Sequence, residues 1–415
     1  MNKNISKIDS ARRYLLSLYI FSIPLSVAIN NIIFALLMLF WIIWGDKKKT
    51  LQIIKENPLV FALYLLFSIF ALSYFWSDNS LEALKIIKKE AFYLALPIFI
   101  SLMKKDEILL YIKSFLAAMF ISEIASYLIF LKIAPPFLSA TQFDPVPFMG
   151  QTGHISYNPM LVLSIYLLIF LFFKTNEGKL YKIISLLFIT TMTINLFITG
   201  GRAGQVAFFF MLFLMAMQFF KLNIKSFILM AFAVVAIFFL AYSSSEIFHK
   251  RVNLAISEVK NYNSDKKTSV GMRIATWQNS LRIIQDNPIL GTGVGDFKRD
   301  IEIYSKKYTP DAIMNPQPHN MYLFAWTLSG IFALIALLLI FAVEIKGYFL
   351  IDDDYKPIRL ALPILFIIIM FSESYLSIHY TKILFLIFSA MLFMDLRWKD
   401  LLKKPHQLHH KEYDQ

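Results

Sequence analysis

Apolar runs long enough to cross a bilayer recur along almost the whole chain, and nothing else in the sequence limits the fold as strongly. In hydrocarbon every backbone N–H and C=O needs an internal partner, so only helices and closed barrels span a membrane. Runs of about 18 or more apolar residues read as spanning helices. Here the runs are continuous and lack the period-2 alternation of barrel strands. A mean hydropathy of +0.59, with 58% hydrophobic residues, is too high for a soluble domain of 415 residues. The sequence therefore predicts an all-α integral membrane protein, a single polytopic membrane domain over 1–415. About twelve transmembrane helices are expected, near 14–29, 31–44, 59–76, 91–103, 107–131, 156–173, 180–198, 203–220, 224–243, 320–345, 358–374 and 380–395. Those at 31–44 and 91–103 carry the weakest signal.

Charge sets the expected orientation. In short loops, 23 Lys and Arg fall on one side of this layout and six (Lys85, Lys88, Lys89, Lys132, Arg202 and Lys382) on the other. By the positive-inside rule the richer side is cytoplasmic, and an even number of spans then puts both termini there, with 396–415 as a cytoplasmic tail. A net charge of +13 is accounted for by this bias and by anionic headgroups, so the bilayer is expected as a partner and nucleic acid is not. The first apolar run lacks a small-residue cleavage site and reads as a retained helix. With no cysteine, disulfides, thiolate nucleophiles and Cys-metal sites are excluded.

The opposite, extracytoplasmic side collects the unusual segments. They are a loop at 132–155 with Pro135, Pro136, Pro145 and Pro147, a short Gly-Gly-Arg break, and a large loop at 244–320 inserted between the ninth and tenth spans. Within the large loop, Ile274, Trp277, Leu281 and Ile284 recur at helical spacing, which predicts a helical cap on the membrane face. GTGVGDF follows, and Gly291, Gly293 and Gly295 permit tight turns or close backbone approach. Their spacing is not that of a dinucleotide fingerprint.

Three residues on that side suit chemistry on a lipid-linked phosphate. Arg202, in ITGGRAGQ, sits where a span ends, with Gly200, Gly201 and Gly204 expected to leave room for a bulky group. Guanidinium binds phosphate through two parallel bonds and keeps its charge; the plainer reading is an arginine snorkelling to headgroups. Arg273 stands near the start of the cap helix, where a cation opposes the helix dipole unless an anion is close. Its plainer reading is one solvated charge among Lys250, Arg251, Lys260, Lys266, Lys267, Arg282, Lys298 and Arg299. His319, in NPQPHNMY, precedes a span and has the chemistry of a general base for a sugar hydroxyl, against an ordinary interfacial histidine. Asn320 is placed to orient the ring or bind sugar, and His154 and Glu373 are supporting candidates, with His379 nearby. His249 reads as surface, and the His406, His409 and His410 cluster as at most an adventitious metal binder. No motif points to a metal site. Glu123 and Lys113 are the main charges within the spans.

TGGRAG at 199–204, GMRIATWQNSLRIIQDNPILGTGVGDF at 271–297 and PHNMYLFAWTLSGI at 318–331 resemble the superfamily of O-antigen ligases and O-antigen polymerases. The resemblance implies a GT-C-like, inverting membrane glycosyltransferase in lipopolysaccharide assembly in the inner membrane of a Gram-negative bacterium. Its donor would be an undecaprenyl-diphosphate-linked glycan, and a ligase would use a lipid A–core sugar hydroxyl as acceptor, on the periplasmic face. It implies no nucleotide sugar, no metal and no other cofactor. By motif, Arg202 and Arg273 match the family's essential arginines and His319 its essential histidine. His154 and Glu373 have no comparable motif. A polymerase of the same superfamily needs the same clamp, and a transporter of lipid-linked glycan remains the non-enzyme alternative.

Overall fold

A computed structural model describes residues 2–136, 144–174, 178–219 and 224–402. Among them there are helices and no β-strand. α1 (Asn2–Ser22) and α2 (Val27–Trp44) pack together, followed by α3 (Lys47–Glu56), α4 (Pro58–Leu72), α5 (Ser80–Glu90) and α6 (Leu96–Leu102). α7 (Ile108–Phe130), α8 (Gly153–Lys174), α9 (Lys179–Ile198), α10 (Arg202–Phe219) and α11 (Ile224–Ser244) are long and apolar. α12 (Glu246–Lys260), α13 (Ser269–Asp286) and α14 (Phe297–Tyr308) make up the inserted segment. α15 (Met321–Leu350), α16 (Lys356–Ile369) and α17 (His379–Leu392) complete the bundle.

Every expected span overlaps a helix, but the count of twelve is not reached. Seven helices among the described residues are long and apolar enough to cross a membrane. α16 and α17 have 14 residues each, about 21 Å at 1.5 Å per residue, short of a core about 30 Å thick. Between them, 370–378 is irregular backbone, buried over Glu373–Ser377, a conformation tolerated at membrane depth where protein covers it. Two helices were not expected. α3 and α5 occupy stretches whose lysines read as loops, yet each starts at an N-cap: Asp46 accepts from Lys49 N, and Asn79 from Glu82 N. Each lays one apolar face on the bundle.

α15 is broken at Ser329 (φ −135°) and Gly330 (φ +74°), and the glycine motif fills the break. Thr292 N donates to Thr327 O at 2.9 Å, Gly293 N to Leu328 O at 3.0 Å, and Ile331 N to Pro288 O at 3.1 Å. Backbone groups released by the kink are thereby paired, as a buried helix end requires. A Cβ on Gly330 would overlap the Ile289 carbonyl, and one on Gly291 (φ +70°) would lie 2.6 Å from Gly330 N. The glycines thus serve backbone-on-backbone approach. The Asp296 carboxylate then accepts from Ser77 Oγ, Asp78 N and Asn79 N, docking the inserted segment on the turn that leads into α5. Gly330→Ala combines positive-φ strain with this overlap, at a cost of about 2–4 kcal/mol. A clear drop in unfolding temperature in detergent is expected, and an unchanged one would refute the strap.

The face by which α13 packs differs from the expected stripe. Leu281 is 47% exposed, while Ala275, Thr276, Asn279, Ser280, Ile283 and Ile284 are buried. The helix is held partly by polar bonds, from Asn279 Nδ2 to Ser305 Oγ and Thr309 Oγ1, so hydrophobic periodicity alone misplaces its inner side. Trp277 is half-buried and donates through Nε1 to Pro318 O at 2.8 Å.

Buried charge is also more extensive than expected. Lys382, counted above as a loop charge, lies inside α17 with its Nζ 2.5 Å from Glu90 Oε2 and 2.7 Å from Lys89 O. Arg359 is buried on Leu392 O and Asp353. Glu344 is buried and accepts from Ser389 Oγ. Glu123 is buried as expected, whereas Lys113 is exposed.

Candidate active site

α9 ends at Ile198, and α10 begins at Arg202 after a short extended break. Asn158 of α8 fixes that break: its Nδ2 donates to Gly201 O at 3.2 Å, and its Oδ1 accepts from Thr199 Oγ1 at 2.9 Å. A Cβ on Gly201 or Gly204 would collide with Asn158. These two glycines let α8 and α10 meet; Gly204 does not open space for a ligand as the sequence suggested, whereas Gly201 also lines the cleft beyond it. Gly200 faces outward, where a Cβ would lie 3.2 Å from Arg251 Nη2 and 3.6 Å from His154 Nδ1.

Outside Gly200 lies a narrow cleft with mostly polar walls. It is lined by Arg202, by Arg251 of α12 and Arg273 of α13, and by His154, Glu373 and Tyr375. Its charges are unbalanced. Arg202 Nη1 is 3.7 Å from Glu258 Oε2, and that carboxylate also accepts from Val270 N, fixing the start of α13. Arg251 and Arg273 make no hydrogen bond or salt bridge among the described residues, and both act on Arg202 as like charges. Three guanidinium groups face one space with a single nearby carboxylate free of a histidine partner. Such a space favours a polyanion.

Two histidines stand near the cleft, each tied to a carboxylate: His154 lines it, and His319 is joined to its wall through Glu373. His319 Nδ1 is hydrogen-bonded to Glu373 Oε2, and Glu373 Oε1 accepts from Ser374 N at 2.9 Å. A carboxylate can only accept, so Nδ1 donates in this bond, and in the neutral ring Nε2 is then the acceptor, the tautomer a general base requires. His319 has φ +47°, a strained value for a residue with a side chain. The conformation is pinned on both sides. Trp277 holds Pro318 O, and Asn320 caps α15 by accepting from Tyr322 N and Leu323 N. Asn320 Nδ2 turns to Phe371 O at 3.4 Å, so its amide serves the helix start and not the imidazole. His154 Nδ1 lies 2.5 Å from Asp144 Oδ2, whose other oxygen accepts from Gly200 N.

A second, larger cleft runs along the other side of the His319–Glu373 pair. α5, the 294–298 turn, Gln317, His319, Ser374, Ser377 and His379 line it. Glu373 and Ile155 line both clefts, so the histidine–carboxylate pair stands at their junction. His379 points to Asn30 Oδ1 at 3.2 Å. His249 stacks on Tyr242 away from the clefts. His406, His409 and His410, like 137–143 of the proline-rich loop, lie outside the described residues.

The structure therefore brings Arg202, Arg273, His154, His319 and Glu373 together and gives Asn320 a capping role. Sequence reasoning missed Arg251, which it grouped with ordinary solvated charges, and Asp144. Arg251 meets its cleft neighbours from distant parts of the chain, and Asp144, although ten residues from His154, stands in no recognisable motif.

A family model described as O-Antigen ligase matches residues 184–338, consistent with a protein of the O-antigen ligase family. The match indicates the ligase and polymerase superfamily and does not distinguish its two activities. It spans Arg202, Arg251, Arg273 and His319 but neither His154 nor Glu373. A protein of Haemophilus influenzae described as uncharacterized is 26% identical over 201 residues, 47% of this chain and 50% of that protein. The chain thus spans about half the length of the curated relative it matches.

Proposed function

We propose that this chain is an inverting membrane glycosyltransferase acting as an O-antigen ligase. It moves glycan from undecaprenyl diphosphate to a hydroxyl of a lipid A–core sugar. The observation that carries the reading is the junction of an arginine-walled cleft with a carboxylate-held histidine. Arg202, Arg251 and Arg273 receive the diphosphate. As the glycan C1–O bond breaks, its electron pair passes to the diphosphate oxygen, and fixed cations aimed at that charge stabilise the transition state. The acceptor oxygen forms the new bond on the opposite face of C1 and gives its proton to His319 Nε2. Glu373 holds the ring in the accepting tautomer and stabilises the imidazolium that forms.

The excess of short-loop lysine and arginine on one side supports cytoplasmic termini and a site facing the periplasm of a Gram-negative inner membrane. Removing Lys382 and the buried Arg359 from that comparison leaves the excess in place.

The test is transfer by purified protein in detergent, with undecaprenyl-diphosphate-linked glycan, lipid A–core and EDTA, resolved on a gel. Glycan on lipid A–core is the expected product, with chelation leaving the rate unchanged because arginines meet the diphosphate charge. Longer glycan on the carrier lipid would make the enzyme a polymerase. Folded protein giving neither product would return weight to a transporter.

A further inference from the structure

Resting on that reading, we propose that the second cleft is the acceptor site and that it takes a saccharide carrying phosphate or carboxylate groups. An inverting displacement puts nucleophile and leaving group on opposite faces of the reacting carbon. The arginines assign the leaving group to the first cleft. His319, which must reach the nucleophile's proton, lines the second cleft and not the first. The acceptor hydroxyl accordingly arrives from the second cleft, with Glu373 behind the imidazole.

The walls state what kind of acceptor fits. Their carboxylates are already engaged. Glu82 pairs with Lys85 at 3.0 Å, Glu90 is buried on Lys382, and Glu373 holds His319. The ammonium groups of Lys89 on α5 and Lys298 on α14 have no hydrogen bond or salt bridge among the described residues, so the free charge of this cleft is positive. Ser374 and Ser377 also line the cleft, and their hydroxyls are buried and unpartnered among the described residues. An unpaired buried hydroxyl is costly, and sugar hydroxyls supply the missing partners. Two lysines and two serine hydroxyls without partners among the described residues, all belonging to residues that line this cleft, fit an anionic saccharide.

The experiment measures acceptor KM with full-length protein and saturating donor. One acceptor is a phosphorylated core glycolipid, and the other is the same glycolipid after phosphatase treatment. Wild type is expected to bind the phosphorylated acceptor about tenfold better, the scale of two solvent-facing ion pairs. Lys89→Ala/Lys298→Ala should raise that KM to the level of the treated acceptor and leave the donor KM unmoved. Lys306→Ala, an exposed α14 lysine paired with Glu302, is the control and should change neither. Equal KM values for the two acceptors in wild type, or a double variant whose donor KM rises instead, overturn the proposal. Folded wild type that uses neither acceptor overturns the ligase reading and this proposal together. That failure is distinguishable because it precedes any lysine change.

Discussion

His319→Asn should slow glycan transfer by about 10²–10⁴-fold, the range general-base catalysis contributes, with little change in unfolding temperature. Asparagine is the informative replacement because of the backbone. His319 holds φ +47°, and asparagine tolerates the left-handed region better than other residues with side chains. Alanine would mix lost proton transfer with added strain at a position pinned between the Trp277–Pro318 bond and the Asn320 cap. If His319→Ala and His319→Asn are equally slow while only the first unfolds early, strain and chemistry are separated. Glu373→Gln tests the other half of the pair. It keeps a hydrogen-bond acceptor for Nδ1–H but removes the charge that stabilises an imidazolium, so the rate should fall by about tenfold or more. Donor binding should survive both changes, since all three cleft arginines remain in place. Wild-type single-turnover rates in His319→Asn would remove the histidine from the mechanism.

Hydrophobic periodicity made much of the bundle legible, because a long apolar helix advertises itself residue by residue. α8, α9 and α10 were expected almost at their observed ends. α3 and α5 were not, since their many lysines hid apolar faces that show only in helical projection. Net charge misled at Lys382, whose partner Glu90 is distant in sequence, so nothing local distinguishes it from a loop lysine. The GTGVG stretch was marked as backbone approaching something closely. That the something is the broken α15 depends on a kink at Gly330 that its continuous apolar run conceals. At the site, the motif arginines and His319 stood out through their glycine- and proline-rich surroundings. Arg251 had no such frame. It sits mid-helix among charges, and only the fold places it against Gly200.

Arg251→Ala should cost about 10²–10³-fold in transfer rate, the effect of removing one preorganised donor from a developing oxyanion, and Arg273→Ala at least as much. The loss should fall on rate more than on donor KM. A diphosphate joined to lipid and glycan carries one charge fewer than the lipid diphosphate it becomes, so the last cation acts mainly after the bond has begun to break. These two arginines are cleaner probes than Arg202. Arg202→Ala also strips a partner from Glu258, which is 7% exposed, and an uncompensated buried carboxylate destabilises the fold itself. Among the described residues, Arg251 and Arg273 have no such partner to strand. Lysine at either position should remain poor, because a point charge does not reproduce the two-bond fork on phosphate. Gly200→Ala supplies an independent check. Its new methyl would press on Arg251 Nη2 from 3.2 Å and displace that group without removing its charge. Gly200→Ala should therefore be slow alone and add little on an Arg251→Ala background, the non-additivity of two changes acting through one contact. Fully additive losses would mean that Arg251 does not work from its place beside Gly200.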